Sequence, residues 1–349
     1  MKKIASYALG CKVNQYESEA IAELFAEKGY EVVSVDDAAD VYIINTCTVT
    51  NFGDKKSRQL IRKVKRQNEN AIVAVVGCYA QTAPEELAAV HGVNLVIGTK
   101  DKSKIVELVE DYQAEQGVQN YVTDIMHERV FEPLEIKKLA NRTRAYLKIQ
   151  DGCSQFCSYC IIPYARGPIR SRQPEDVIAE VKRLAENGFK EVVLTGIHVA
   201  SYGKDLKTIT LTDIIRQVHE VEGIERIRFS SIEPNVVTEE FAAAMAELPK
   251  VCDHFHLSLQ SGCDKTLKEM NRKYDTEKYR QAAALLRKYL PDVAITTDII
   301  VGSPGKQKKI IRQAVLLRKK SVFPKSMYSL IPLKKALPRR QEKISCKTL

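Results

Sequence analysis

AYLKIQDGCSQFCSYCIIPYARG, residues 145–167, opens on an alternating apolar run and continues into a loop that holds Cys153, Cys157 and Cys160. A strand followed at once by cysteines spaced C-x₃-C-x₂-C delivers three soft ligands to one place. Thiolates of this kind select zinc, copper(I) or iron–sulfur groups. A structural zinc needs a closed set of four ligands. Either a fourth cysteine closes the site, or one position stays open for another molecule. Cys263 follows a strand pattern and is the credible fourth ligand; Cys252 precedes its strand, and Cys346 lies in an unusual tail.

The stretch starts a series. From residue 142 the chain alternates strand patterns (AYLKIQ, then 191–198, 226–233, 254–261 and 294–302) with helical ones such as PEDVIAEVKRLAENG and EKYRQAAALLRKYL. This predicts a partial barrel of β/α units over 142–305, with functional groups on the loops after its strands. Residues 1–112 carry an earlier series, with strand patterns at 4–10, 31–35, 41–46, 71–77 and 93–99. That predicts an α/β domain on a parallel sheet. Cys11, Cys47 and Cys78 each follow the end of one of these strands. In a parallel sheet those ends share one edge, where open α/β folds build their sites, so a second metal site is expected there rather than three separate buried thiols. Residues 113–141 show no clear period and read as a connector.

A chain of 349 residues has room for two domains. No apolar run approaches the ~20 residues that span a membrane. The start, MKKIASYALGC, carries too short an apolar stretch for a secretory signal, and a cytoplasmic location is expected. Nine cysteines in such a chain point to metal or redox chemistry rather than disulfides. The net charge of +10 suggests a nucleic-acid partner until it is located: 14 of the 54 basic residues and one of the 44 acidic ones fall in 306–349, which leaves −3 before that tail. There is no Walker A, G-x-G-x-x-G or H-E-x-x-H motif.

The three-cysteine loop, with Tyr159 before its last cysteine and at the end of a first barrel strand, is similar to the radical S-adenosylmethionine superfamily. LGCKVNQYES (9–18), INTCTVTNFGDKKSRQ (44–59), VGCYAQ (76–81), KIQDGCSQFCSYCIIPYARGPIRSR (148–172) and LTGIHVASYG (194–203) resemble its methylthiotransferase family. The likeness runs through LSLQSGCDKTLKEMNRKY and TTDIIVGSPG to about residue 305. LGCKVN with NTCTVT resembles the branch acting on N6-threonylcarbamoyladenosine at position 37 of tRNA. It is less like the isopentenyladenosine branch or the one that modifies a ribosomal-protein aspartate.

The resemblance implies two [4Fe–4S] clusters, a sulfur-handling one on Cys11, Cys47 and Cys78 and a radical-generating one on Cys153, Cys157 and Cys160. It implies S-adenosylmethionine chelated to the open iron of the second, an electron-donating reductant, and the tRNA anticodon loop as partner. The reaction implied replaces the C2 hydrogen of the adenine by a methylthio group. The radical comes from the cofactor, so no catalytic side chain is expected. Tyr159, Gly196, Glu233 and Gln260 are the expected contacts to S-adenosylmethionine. The alternatives are another tRNA base, a ribosomal protein, or a non-catalytic iron–sulfur or RNA-binding protein. Arg166, Arg170 and Arg172 pair with anions or form an exposed basic loop. His254 and His256 are expected to pack on their strand, with His198 at the functional face. The run 55–66 either touches RNA phosphates or is a solvated helix face.

After residue 305 the family's acidic helix and sixth strand do not follow. Reading the codons one base earlier lets 306–310 encode Glu-Thr-Glu-Glu-Asp and 322–332 encode a strand-like string. A one-base loss near Gly305 is therefore expected, with 306–349 a basic tail out of frame, a barrel incomplete at its carboxy-terminal end, a bare final strand edge and no RNA-binding module; the alternative is a natural basic tail that binds RNA.

Overall fold

The computed structural model describes residues 1–48, 51–136, 144–301 and 326–330. Both expected architectures are present. In the first sheet six parallel strands run β1 (Lys3–Ala8), β2 (Glu31–Val32), β3 (Val41–Thr46), β4 (Ile72–Gly77), β5 (Leu95–Ile97) and β6 (Gln119–Asn120), in spatial order β2-β1-β3-β4-β5-β6. The sheet is apolar on both faces, as an α/β sheet must be when helices cover it on both sides. Alternate residues of β3 divide between them: Tyr42 and Ile44 pack with Ile61, Val64 and Leu87, whereas Val41 and Ile43 pack with Ile21, Phe25 and Ile105. The helix Lys12–Glu27 follows β1, with Cys11 as its N-cap. Strand β1 ends at Ala8, so Cys11 stands at the helix start rather than directly on the strand. β6 lies inside the expected connector and was not legible there, being two polar residues long.

The barrel-like region forms two separate sheets. One contains β7 (Arg144–Asp151), β8 (Arg170–Ser171), β9 (Glu191–Gly196) and β10 (Arg226–Phe229), in order β10-β9-β7-β8. Its three longer strands are parallel, and β8 turns back antiparallel on the end of β7. The other is a parallel sheet of β11 (His254–His256), β12 (Ala294–Val301) and β13 (Ser326–Leu330). The edge of β12, expected to be bare, is therefore occupied: Ser326–Leu330 pairs along Thr297–Val301. The printed frame supplies a pairing segment because strand hydrogen bonds are made by backbone groups that every non-proline residue carries. The rest of the tail, Cys346 and the expected frame change lie outside the described residues.

The chain divides into two compact units that do not follow chain order. The first comprises Met1–Phe156, Ile162–Ser230 and Leu248–Cys252; the second comprises Cys157–Ile161, Ser231–Glu247 and the described residues from Asp253 onward. The amino-terminal sheet and β7–β10 thus belong to one unit. No helix among the described residues is long and apolar enough to cross a membrane.

Candidate functional site

In the first unit the three cysteines of the amino-terminal region come to one edge of the sheet. Cys47 follows β3 directly, Cys78 follows β4 directly, and Cys11 precedes the helix that leaves β1. Gly10 makes the approach close. With φ +98° it adopts a backbone that side chains disfavour, and a Cβ there would lie 2.6 Å from Cys47 Sγ. Cys11 is exposed as a residue, yet burial of its thiol raises that thiol's pKa, Arg166 draws it back down and Cys78 pushes it up. The same guanidinium and the same neighbouring thiol therefore act on it.

Arg166 is the centre of the site. It is fully buried, and its Nε donates to Cys78 Sγ at 3.1 Å. Nη1 donates to Glu17 Oε1 at 2.6 Å, and Nη2 to Asn14 Oδ1 at 2.7 Å. Asn14 in turn donates to the carbonyls of Leu9 and Thr46 at 2.8 and 2.9 Å, which ties the two cysteine-bearing turns together. Glu17 also receives Lys148 at 2.8 Å and Lys102 at 3.2 Å, and Asp151 receives Lys148 at 2.6 Å and Arg166 at 3.3 Å. Burial alone would raise the Glu17 carboxyl, but Arg166, Lys102 and Lys148 together hold it well below the ordinary carboxylate range.

Charge counting gives this site its chemical sense. Four buried cations, Lys102, Lys148, Arg166 and Arg170, face three carboxylates, Glu17, Glu132 and Asp151. A buried cation without a counter-charge is costly. The Cys78 sulfur accepts from Arg166 within this cluster, and cysteine sulfurs are what iron–sulfur groups take as ligands. The donor set at this edge fits such a group. Among the described residues no three His, Cys, Asp or Glu side chains converge on a single ion.

The second cysteine loop is divided between the units. In the first unit, Cys153 follows Gly152, and its N–H bonds the Gly167 carbonyl at 2.9 Å. Gly196 ends β9, where a Cβ would lie 2.8 Å from Gln150 Oε1, so the close neighbour of this glycine is Gln150. Gln150 Oε1 also accepts from the His198 N–H at 2.7 Å.

In the second unit Cys157 and Cys160 form a turn closed by the Cys160 N–H on the Cys157 carbonyl at 3.0 Å. Arg272 Nη1 donates to Cys157 Sγ at 3.3 Å, Nη2 pairs with Glu233 at 2.7 Å, and Nε donates to the Tyr274 hydroxyl at 3.0 Å. Burial works against the Arg272 charge, but Tyr274, Glu233, Tyr159 and Cys157 keep it firmly protonated. Burial pushes the Tyr159 hydroxyl pKa up, Arg272 opposes this, and Cys157 and Cys160 add to the rise. Tyr159, Glu233, Cys157 and Cys160 thus share one neighbourhood organised by a residue that the sequence reading had not singled out. Gln260 bridges to Ile299 with a left-handed φ of 65°, a strained conformation for a residue with a side chain. Cys263 caps the helix Asp264–Glu269 and joins no group of three potential ligands among the described residues.

Of the two readings of Arg166, Arg170 and Arg172, the exposed basic loop is overturned: all three are buried, and Arg172 is paired with Glu180. Antiparallel pairing of β8 on the end of β7 draws the segment inward. His254 and His256 pack on their strand as expected, both meeting Thr296 Oγ1, at 3.2 and 3.0 Å. Glu17, Lys148, Asp151 and Arg272 escaped the sequence reading, because a charged residue in a helix or strand pattern carries no mark of burial.

Residues 147–317 match the Radical SAM superfamily, and residues 3–98 match the Uncharacterized protein family UPF0004. The chain is 47% identical over 310 residues to the threonylcarbamoyladenosine tRNA methylthiotransferase MtaB of Bacillus subtilis, an alignment covering 88% of this chain and 69% of that protein. To the MtaB of Aquifex aeolicus it is 39% identical over 348 residues, covering 98% and 85%. The chain belongs to the methylthiotransferase family of radical S-adenosylmethionine enzymes. The tRNA-2-methylthio-N(6)-dimethylallyladenosine synthase of Thermoanaerobacter sp., 38% identical, covers 94% of this chain with 70% of its own length. Among solved structures, the radical S-adenosylmethionine methyltransferase TsrM from Kitasatospora setae shares the fold, with a TM-score of 0.67 at 16% identity over 95% of this chain and 75% of that one. As a member of this family the chain is an enzyme that works with [4Fe–4S] clusters and S-adenosylmethionine.

Proposed function

We propose that this protein methylthiolates tRNA, replacing the C2 hydrogen of N6-threonylcarbamoyladenosine at position 37 by a methylthio group. The observation that supports the reading is the placement of Cys11, Cys47 and Cys78 at one sheet edge, with a buried guanidinium acting on Cys11 and Cys78, in a chain whose relatives are named threonylcarbamoyladenosine tRNA methylthiotransferases. In this reading residues 1–112 hold the sulfur-handling cluster, 113–141 connect, and 142–305 form the radical-generating core. Cys153, Cys157 and Cys160 hold the second cluster, and the enzyme works in the cytoplasm with an electron-donating partner.

Bound there, the clusters and S-adenosylmethionine supply the electron, the radical, the sulfur and the methyl group. The chain's own residues position and shield. Arg272 stays charged, steadies Cys157 and carries Glu233 with it. Tyr159, held neutral by its burial, gives an aromatic wall beside the loop. Glu233 and Gln260 offer carboxylate and amide groups to the hydroxyls and amino group of S-adenosylmethionine; the space beside Gly196, expected to admit the cofactor, is taken by Gln150.

Anaerobic purification is expected to yield about eight irons per chain, and reduction with S-adenosylmethionine present should release 5′-deoxyadenosine. About four irons without release would leave a non-catalytic iron–sulfur protein. A deletion strain is expected to lose 2-methylthio-N6-threonylcarbamoyladenosine from its tRNA nucleosides. Loss of the 2-methylthio dimethylallyl nucleoside instead would move the substrate to the second reading, which the 38% identity to the Thermoanaerobacter synthase keeps in view.

A further inference from the structure

Arg166 does more than neutralise Glu17. Its Nε stands 3.1 Å from Cys78 Sγ, while its two terminal nitrogens are committed at 2.6 Å to Glu17 and 2.7 Å to Asn14. The guanidinium therefore cannot swing away from the sulfur without breaking two short hydrogen bonds. It is fully buried, and together with Lys102, Lys148 and Arg170 it makes four cations against the three carboxylates Glu17, Glu132 and Asp151. It also comes from the short helix Ile162–Arg166, just after the second cysteine motif, although it touches the first triad.

We propose that Arg166 is a positioning residue of the first triad, donating to Cys78 and raising the electron affinity of the iron–sulfur cluster held there. Hydrogen bonds to cluster sulfurs, net charge and burial are the levers that set such potentials. Each electron added to a cluster adds one negative charge. A fixed cation at hydrogen-bond distance, screened from water, favours that reduced state. The inference rests on assigning Cys11, Cys47 and Cys78 to a cluster.

The test uses the full chain with Cys153, Cys157 and Cys160 all replaced by alanine, reconstituted anaerobically so that only the first triad can load. Iron content and electron paramagnetic resonance are followed while redox mediators deliver one electron to the cluster, with no bond made or broken. Arg166→Gln is expected to disfavour reduction at least tenfold, a fall of about 59 mV for one electron. Arg166→Lys, which keeps the charge, should recover part of the fall, and Glu17→Gln, which removes a counter-charge, should raise the potential. Arg166→Gln that loads normally and titrates at the parent potential overturns the inference while leaving the cluster assignment intact. No iron in the parent triple variant sinks the assignment itself, and the inference with it. If Arg166→Gln fails to load, Glu17→Gln decides, and an unchanged potential there overturns the proposal.

Discussion

At the residue scale the decisive feature is one carboxylate surrounded by cations. Glu17 lies on a helix whose pattern reads as amphipathic, yet it is fully buried and contacts Arg166, Lys102 and Lys148. Removing one partner of such a set leaves buried charges uncompensated, and Glu17→Ala should cost about 3–5 kcal/mol in urea unfolding. The pH dependence has a defined sign. Burial opposes the charge of Glu17, but the three cations overcome it and lower its pKa, so the unfolded chain binds the proton first as pH falls. The stability this provides is complete above the ordinary glutamate value of about 4.3 and is lost progressively below it. Unfolding midpoints of the wild type should therefore drop between pH 5 and 3 more steeply than those of Glu17→Gln; parallel profiles would refute the assignment. The cysteines were legible because spacing alone carries their message. Their counter-charges were not, because Glu17, Lys102 and Lys148 are 85 and 46 residues apart along the chain in turn.

At the element scale, the same turn recurs where strands end. Gly10, Gly77 and Gly152 each have positive φ, at +98°, +95° and +72°, and each directly precedes a cysteine. The repeated Gly-Cys pair is the sequence signal for a left-handed exit that sends the next side chain into the site at the strand ends. Gly152 is the most constrained, since a Cβ there would lie 1.8 Å from the Pro168 carbonyl oxygen, and that neighbour is backbone. Gly152→Ala must either open the β7–β8 pairing or shift Cys153, whose N–H bonds the Gly167 carbonyl. The variant is expected to lose more than the ~1–3 kcal/mol of backbone strain alone. Its iron content should fall toward that of a protein with one cluster, as read by iron assay beside the urea midpoint. Full iron with an unchanged midpoint would show that the turn does not hold the ligand. Strands β3 and β9 were legible because their apolar runs are uninterrupted. β6, β8 and β13 were not, because an edge strand of two to five residues is made by its neighbour's open hydrogen bonds rather than by its own pattern.

For the molecule as a whole, charge indicates where a polyanion would lie. The helix Asn51–Gln67 buries Ile61 and Val64 against the sheet and exposes Lys55, Arg62 and Arg66, spaced seven and four residues apart on one face. Lys63, by contrast, is already paired with Asp36. If this face meets RNA phosphates, replacing Lys55, Arg62 and Arg66 by glutamine should weaken tRNA binding at every sequence tested. It should also flatten the slope of log affinity against log salt by about one for each phosphate that is no longer neutralised. Filter-binding across salt concentrations measures both, and an unchanged slope would make this a solvated helix face and nothing more.

The sequence by itself determined the two β/α series, the two sets of three cysteines and the chemistry those ligands select, because strand periodicity and thiol softness are properties of short stretches of chain. Only the tertiary structure decided that Arg166 serves Cys78, that Arg272 serves Cys157 and carries Glu233, and that the compact units cut across chain order through the second cysteine loop. Whether a charged side chain is solvated or buried depends on what the rest of the chain places around it. Glu17 meets Lys102, Lys148 and Arg166 from distant parts of the sequence, so its partners cannot be read from its own stretch alone.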